Sequence, residues 1–84
     1  MAIIQDFASY SQRVQRMART VGVDLGQAVL AGRLQHFPFS DIVFRCSRCP
    51  EHSACAIWLD AHQTGASEPP AYCRNTVLLK SLQA

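Results

Sequence analysis

"RCSRCPEHSACAIWLDAH", residues 45–62, decides how this chain is read. Cys46 and Cys49 stand at a CxxC spacing, and Cys55 follows after five more residues. Pro50 suits a first helical position, with Glu51 in the expected first turn and His62 in the last. On such a helix Cys55, Trp58, Leu59 and His62 share one face. Trp58 and Leu59 call for burial, so Cys55 is expected to point inward with them. Cys49 would lie at the helix's amino end, where free N–H groups and the helix dipole favour a thiolate.

Upstream, "DIVFRCSR" reads as a short helical segment capped by Ser40 or Asp41 and ending at the CxxC. "HFPF" breaks the chain, because Pro38 disfavours helix at Phe37. From Ile3 to Val21 the apolar residues fall at 3, 7, 10, 14, 17 and 21, one stripe of an amphipathic helix. Arg13, Arg16 and Arg19 read as its solvated face, and Gly22 as its carboxyl-terminal cap. The stripe is short for a coiled coil, so it is expected to pack within the domain. Asp24 caps a second helix in "LGQAVLAGRL", which Gly26 and Gly32 weaken. Downstream, "QTGASEPP" is a loop, and a final helix starts at Cys73 to Asn75 and runs through "TVLLKSL".

No strand-like alternation occurs. The predicted fold class is all-α: a small single domain, residues 1–84, of four to five short helices around a four-cysteine site. Residues 1–44 supply the N-terminal helices; residues 45–84 supply the site and the C-terminal helix.

Hydrophobic residues make up 49% of the 84 and charged residues 17%, a balance for a folded globule rather than a disordered chain. A domain this small is marginally stable on its core alone and commonly adds disulfides, a metal or a partner subunit. The formal charge of +2 gives no strong nucleic-acid signal. The N-terminus lacks the pattern of a signal peptide, and no apolar run approaches the roughly 18 residues of a membrane span. The expected location is cytoplasmic, where thiols stay reduced. Gly22, Gly26 and Gly32 form no phosphate-binding loop. Cys49 with His52 suggests a nucleophile and base, but so small a domain has little room for a pocket with an oxyanion hole. No enzyme is expected.

Cys46 lies one turn before Cys49, and Cys73, in "PPAYCRN", reaches the same place if the loop folds the last helix back. Four converging thiols imply a metal, a cluster or disulfides. Arg45, Arg48 and Arg74 stand beside cysteines, where they would offset the charge of about −2 on a four-thiolate metal centre. Structural zinc sites often pair two CxxC-type knuckles. One compact run of three cysteines plus a remote fourth is closer to iron–sulfur ligation. His52 and His62 are alternative zinc ligands should Cys73 stay away.

"CSRCPEHSACAIWL" resembles the central motif of the WhiB-like proteins: CxxCP, a third cysteine after five residues, then an apolar helix. The resemblance implies that Cys46, Cys49 and Cys55 are three ligands of a [4Fe–4S] cluster. In that family the fourth cysteine precedes the motif, whereas Cys73 follows it. The family's turn rich in glycine and tryptophan and its basic tail are absent, so the resemblance carries no DNA-linked role. From "GVDL" to "YCRNTVLLKSL" the chain also resembles a family of small bacterial four-cysteine proteins with no known activity. That likeness implies that the four cysteines act as one unit.

The expected function is a cytoplasmic iron–sulfur protein holding one [4Fe–4S] cluster through Cys46, Cys49, Cys55 and Cys73, for electron transfer or redox sensing. Trp58, Phe44 and Tyr72 would form the apolar shell that limits solvent. A protein redox or regulatory partner is implied, with the chain a monomer or weak dimer. The alternative is a Zn(Cys)4-stapled helical interaction module without redox chemistry. The third reading is a helical domain with disulfides or free buried thiols, for which four cysteines allow three full pairings.

Overall fold

A computed structural model describes the backbone of residues 2–34 and 38–83, with side chains from Phe7 onward. The expectations at Ile3 (side chain) and at Phe37 lie outside the described residues. The first helix, α1, spans Ala2–Thr20. Its stripe is buried at Val14, Met17 and Val21, joined by Ala18, while Phe7 is 48% exposed. The periodicity sets the face, and burial begins only where other helices cover it. Gly22 takes φ +80°. Its N–H donates to Arg19 O (3.0 Å) and the Val23 N–H to Ala18 O (2.8 Å), closing a Schellman turn.

α2, Leu25–Leu30, starts as expected: the Asp24 carboxylate accepts from the Gln27 N–H. It stops early, at a second Schellman turn around Gly32 (φ +74°), with the Arg33 N–H on Ala28 O at 2.9 Å. α3 spans Phe39–Ser47, with Pro38 at its N-cap and no side-chain cap. Ser40 and Asp41 therefore lie inside the first turn, because Pro38 places its carbonyl to accept from Asp41 (2.9 Å) and Ile42 (3.4 Å). α4 is His52–Ala61, with Glu51 as N-cap and His62 as C-cap. The helix thus begins two residues beyond Pro50. α5, Thr76–Leu82, follows Asn75 as expected.

The five helices, the elements among the described residues, bury one core. α1 packs chiefly on α3 and also on α4. Ile42, Val43 and Leu79 are its most fully enclosed large side chains, and Cys55 and Leu59 join it from α4. Burying such a side chain stabilises the fold by about 1.5–3 kcal/mol. The loop between α4 and α5 is fastened from several sides. The Ala66 N–H donates to Thr20 O (2.8 Å), and Gln83 Nε2 donates to Val21 O (2.9 Å) and Ser67 O (2.7 Å). Pro69 and Pro70 are buried. These contacts fold α5 back over the carboxyl end of α1 and fix the segment that carries Cys73. No described helix is long and apolar enough to cross a membrane.

Candidate metal centre

Cys46 lies in the last turn of α3, Cys49 in the link to α4, Cys55 on α4 and Cys73 just before α5. All four line one pocket. α1 contributes Val14 and Met17 to its wall and α5 contributes Leu79; the surface exposed in the pocket is almost wholly apolar, although Arg13, His52, Arg74 and Asn75 also stand among its lining residues. Cys55 is buried, and the other three cysteines are half-buried. All four are free thiols.

Local structure explains the CxxC geometry. Arg48 caps α3 with its N–H on Phe44 O and Arg45 O, and the Cys49 N–H then closes a turn on Cys46 O at 3.1 Å. Pro50 pushes Cys49 out of helical conformation, so the chain turns between the two cysteines before α4 starts. Cys49 consequently lies three residues before α4 begins rather than at the helix's amino end, where the sequence pattern places it. Its Sγ lies 3.8 Å from Tyr72 O, across the pocket from its own segment. Cys55 is fixed by the helix itself, its N–H donating to Glu51 O at 2.8 Å.

Two of the pocket's thiols, Cys46 and Cys73, are disfavoured as bare thiolates. Burial pushes the Cys46 thiol up from 9.0 to about 11, while Arg13 pulls it down and the other three thiols push it further up. Burial also raises Cys73, opposed by the Asn75 backbone N–H that donates to it. Tyr72 is raised by burial first and by the neighbouring thiols second. Burial thus favours the protonated forms of Cys46 and Cys73 in the metal-free pocket. Metal binding would displace those protons, which couples occupancy to pH.

Several neighbours stand elsewhere than expected. Phe44 is 61% exposed, with the Arg48 guanidinium 5.7 Å above its ring, so neither belongs to a shell around the thiols. Trp58 packs against the core and stacks on His62 at 4.1 Å, but it does not line the pocket. His62 donates from Nδ1 to Trp58 O (2.7 Å) and is not among the pocket residues either. Of the expected shell, Tyr72 alone is at the site. His52 lines the pocket, with its Nε2 donating to Cys46 O at 2.7 Å. That bond occupies one ring nitrogen and makes His52 a clamp on the end of α3. Arg74 lines the pocket as expected.

Two pocket residues escaped the sequence reading. Arg13 lies on the pocket and donates from Nη1 to His52 O at 3.0 Å. Its spacing held the signal: three residues after Tyr10 and four before Met17, at the edge of the apolar stripe. Asn75 is buried, donates from Nδ2 to Ile42 O (3.0 Å), and leaves its Oδ1 without a partner. A cap-type residue before a helix gave no hint of that.

Among the described residues, no three or more His, Cys, Asp or Glu side chains are arranged so as to hold a metal ion. The four thiols share a wall without closing into a coordination shell. The pocket they help to line has a volume of about 20 Å³, room for little more than a water-sized sphere. As a donor set, four thiols in an apolar pocket suit soft, thiolate-binding centres and not Mg²⁺ or Ca²⁺.

Fold and site together define a small all-α domain that gathers four free cysteines from three segments onto one apolar pocket. The chain belongs to the family of unknown function DUF6455, which it matches over residues 1–84. No curated protein and no solved structure matches it.

Proposed function

We propose that this domain binds one [4Fe–4S] cluster through Cys46, Cys49, Cys55 and Cys73 and serves in electron transfer or redox sensing in the cytoplasm, with a protein partner. The observation that carries the proposal is the meeting of all four cysteines on one apolar pocket. When bound, the cluster would supply a one-electron couple. The chain's own residues have separate tasks. Cys46 and Cys49 share a turn held by the Pro50 break, Cys55 is fixed on a buried helix face, and Cys73 comes in on the fastened loop. Val14, Met17 and Leu79 exclude water, which sets the dielectric around the ligands. His52 orients the end of α3.

Two features pull in different directions. The spacing of the cysteines, three in one compact run and a remote fourth, favours the cluster. The small cavity favours a single ion. The spacing weighs more, because cysteine rotamers change the cavity readily while the three backbone segments that carry the thiols are fixed by the fold. The cavity size still supports a second reading, a Zn(Cys)4 staple in an interaction module without redox chemistry.

Anaerobic purification and reconstitution with iron and sulfide separate the two. A cluster gives visible charge-transfer absorption that bleaches on reduction and returns on reoxidation. Colourless protein that takes one zinc and no iron rejects the cluster in favour of the staple.

A further inference from the structure

We infer that Arg13 is the fixed counter-charge of the four-thiol pocket, setting how readily the pocket holds a negatively charged metal centre and how readily that centre accepts an electron. The inference rests on the reading above that the four cysteines bind one metal centre.

The argument starts from placement. Four thiolates around either Zn²⁺ or an oxidised [4Fe–4S] core carry about −2 of charge, and a reduced cluster carries one more negative charge. The wall facing the thiols from α1 and α5 is apolar apart from Arg13 and the neutral Asn75. A charge facing low-dielectric surroundings acts more strongly than one in water. Arg13 is half-buried there. Arg74 also lines the pocket, but it is exposed, and solvent screens its field.

Arg13 is also held. Its Nη1 donates to His52 O at 3.0 Å, and the His52 ring donates to Cys46 O at 2.7 Å while lying 5.0 Å from the Tyr10 ring. One guanidinium thus ties α1 to the start of α4, and through His52 to the turn that carries Cys46. A mobile surface arginine would have to be ordered whenever the centre changed charge. Arg13 is ordered beforehand, so its field costs no rearrangement at electron transfer. Its neighbours Arg16 and Arg19 do not line this pocket; Arg16 pairs with Asp60 at 2.9 Å.

The test compares Arg13→Gln, Arg13→Lys and Arg74→Gln with the parent protein in two measurements. The first is the midpoint potential of the reconstituted cluster. Arg13→Gln should shift the reduction equilibrium about tenfold toward the oxidised form, about 59 mV lower for one electron. Arg13→Lys should recover most of the shift, and Arg74→Gln should move it much less. The second is Zn²⁺ affinity of the metal-free protein by chelator competition, in which Arg13→Gln should bind about tenfold more weakly and Arg13→Lys near the parent. If Arg13→Gln folds but holds no cluster while Arg13→Lys does, the counter-charge also stands. Unchanged potential and zinc affinity in Arg13→Gln overturn it, as does equal loss in Arg13→Gln and Arg13→Lys, which would make the residue a structural tie. A parent protein that binds zinc but no cluster rejects the proposed function alone, and the zinc measurement still decides Arg13. A parent protein that binds neither rejects both.

Discussion

Cys55→Ser separates a metal ligand from a core thiol, because the two roles predict different losses with and without metal. Cys55 is 7% exposed within the main apolar core. Replacing its sulfur with a hydroxyl puts a stronger polar group into apolar surroundings, at about 1–3 kcal/mol if unpaired. On a helix the new hydroxyl can turn back to the carbonyl four residues earlier, Glu51 O, which favours the lower part of that range. For the metal-free protein we therefore expect a loss of about 1–2 kcal/mol, a fall in Tm of about 4–16 °C for a domain of this size. In the metal-loaded protein the loss should be larger, because binding free energy is folding free energy at such a site. At a metal concentration 100 times Kd the bound centre adds about 2.7 kcal/mol, and a variant that no longer binds forfeits all of it. Thermal unfolding followed by far-UV circular dichroism, with metal analysis of the same samples, gives both numbers. The loaded and metal-free melts of Cys55→Ser should coincide. If the variant keeps its metal, and both forms fall by the same amount, Cys55 is packing and not a ligand.

Cys73→Ala should leave a three-thiol site whose cluster is lost on exposure to air, followed by decay of visible absorption; full metal content and an unchanged spectrum would instead assign the fourth ligand elsewhere, with His52, which lines the pocket, a candidate. The pH dependence has a definite sign. Cys46 sits at about 11 when folded against 9.0 unfolded, so the metal-free fold holds this proton more tightly, and its stabilising contribution is complete below pH 9.0 and lost as pH rises toward about 11. Denaturant midpoints should fall across that window in metal-free protein; in loaded protein, where the thiolates are already formed, they should instead rise with pH while the unfolded thiols are still protonated and level off once pH passes about 9. At Gly22, φ is +80° and an added Cβ would meet nothing within 4 Å. Gly22→Ala should therefore cost only backbone strain, about 1–2 kcal/mol, read as a lower Tm with unchanged metal content.

Much of the helical frame was legible in local chemistry. Asp24, Gly22 and the spacing of Val14, Met17 and Val21 act within a few residues of themselves, and each does in the fold what its neighbours imply. The inward turn of Cys55 followed from Leu59 one helical turn away. What escaped the reading depended on distant partners or on competition at helix ends. Pro38 starts α3 ahead of Ser40 and Asp41 because a proline carbonyl can open a helix without a side-chain cap. Phe44 looked like shell material, but α3 turns Ile42 and Val43 inward and leaves Phe44 with Arg48 on the outside. Arg13 looked solvated because its helix alone does not reveal that the start of α4 lies across from it. Cys73 needed the loop fastened by Ala66, Gln83 and Thr76, the last donating to Pro70 O at 2.8 Å or Cys73 O at 2.7 Å. No local spacing encodes such contacts.

The central claim, one cluster on four cysteines, is tested most directly by counting iron, acid-labile sulfide and zinc per chain in protein purified without exposure to air. The account predicts about four iron and about four sulfide per chain and no stoichiometric zinc, in keeping with four thiolate ligands to one [4Fe–4S] centre. One zinc per chain with no sulfide, or protein that holds no metal and keeps the same melting temperature after treatment with a chelator, would contradict it.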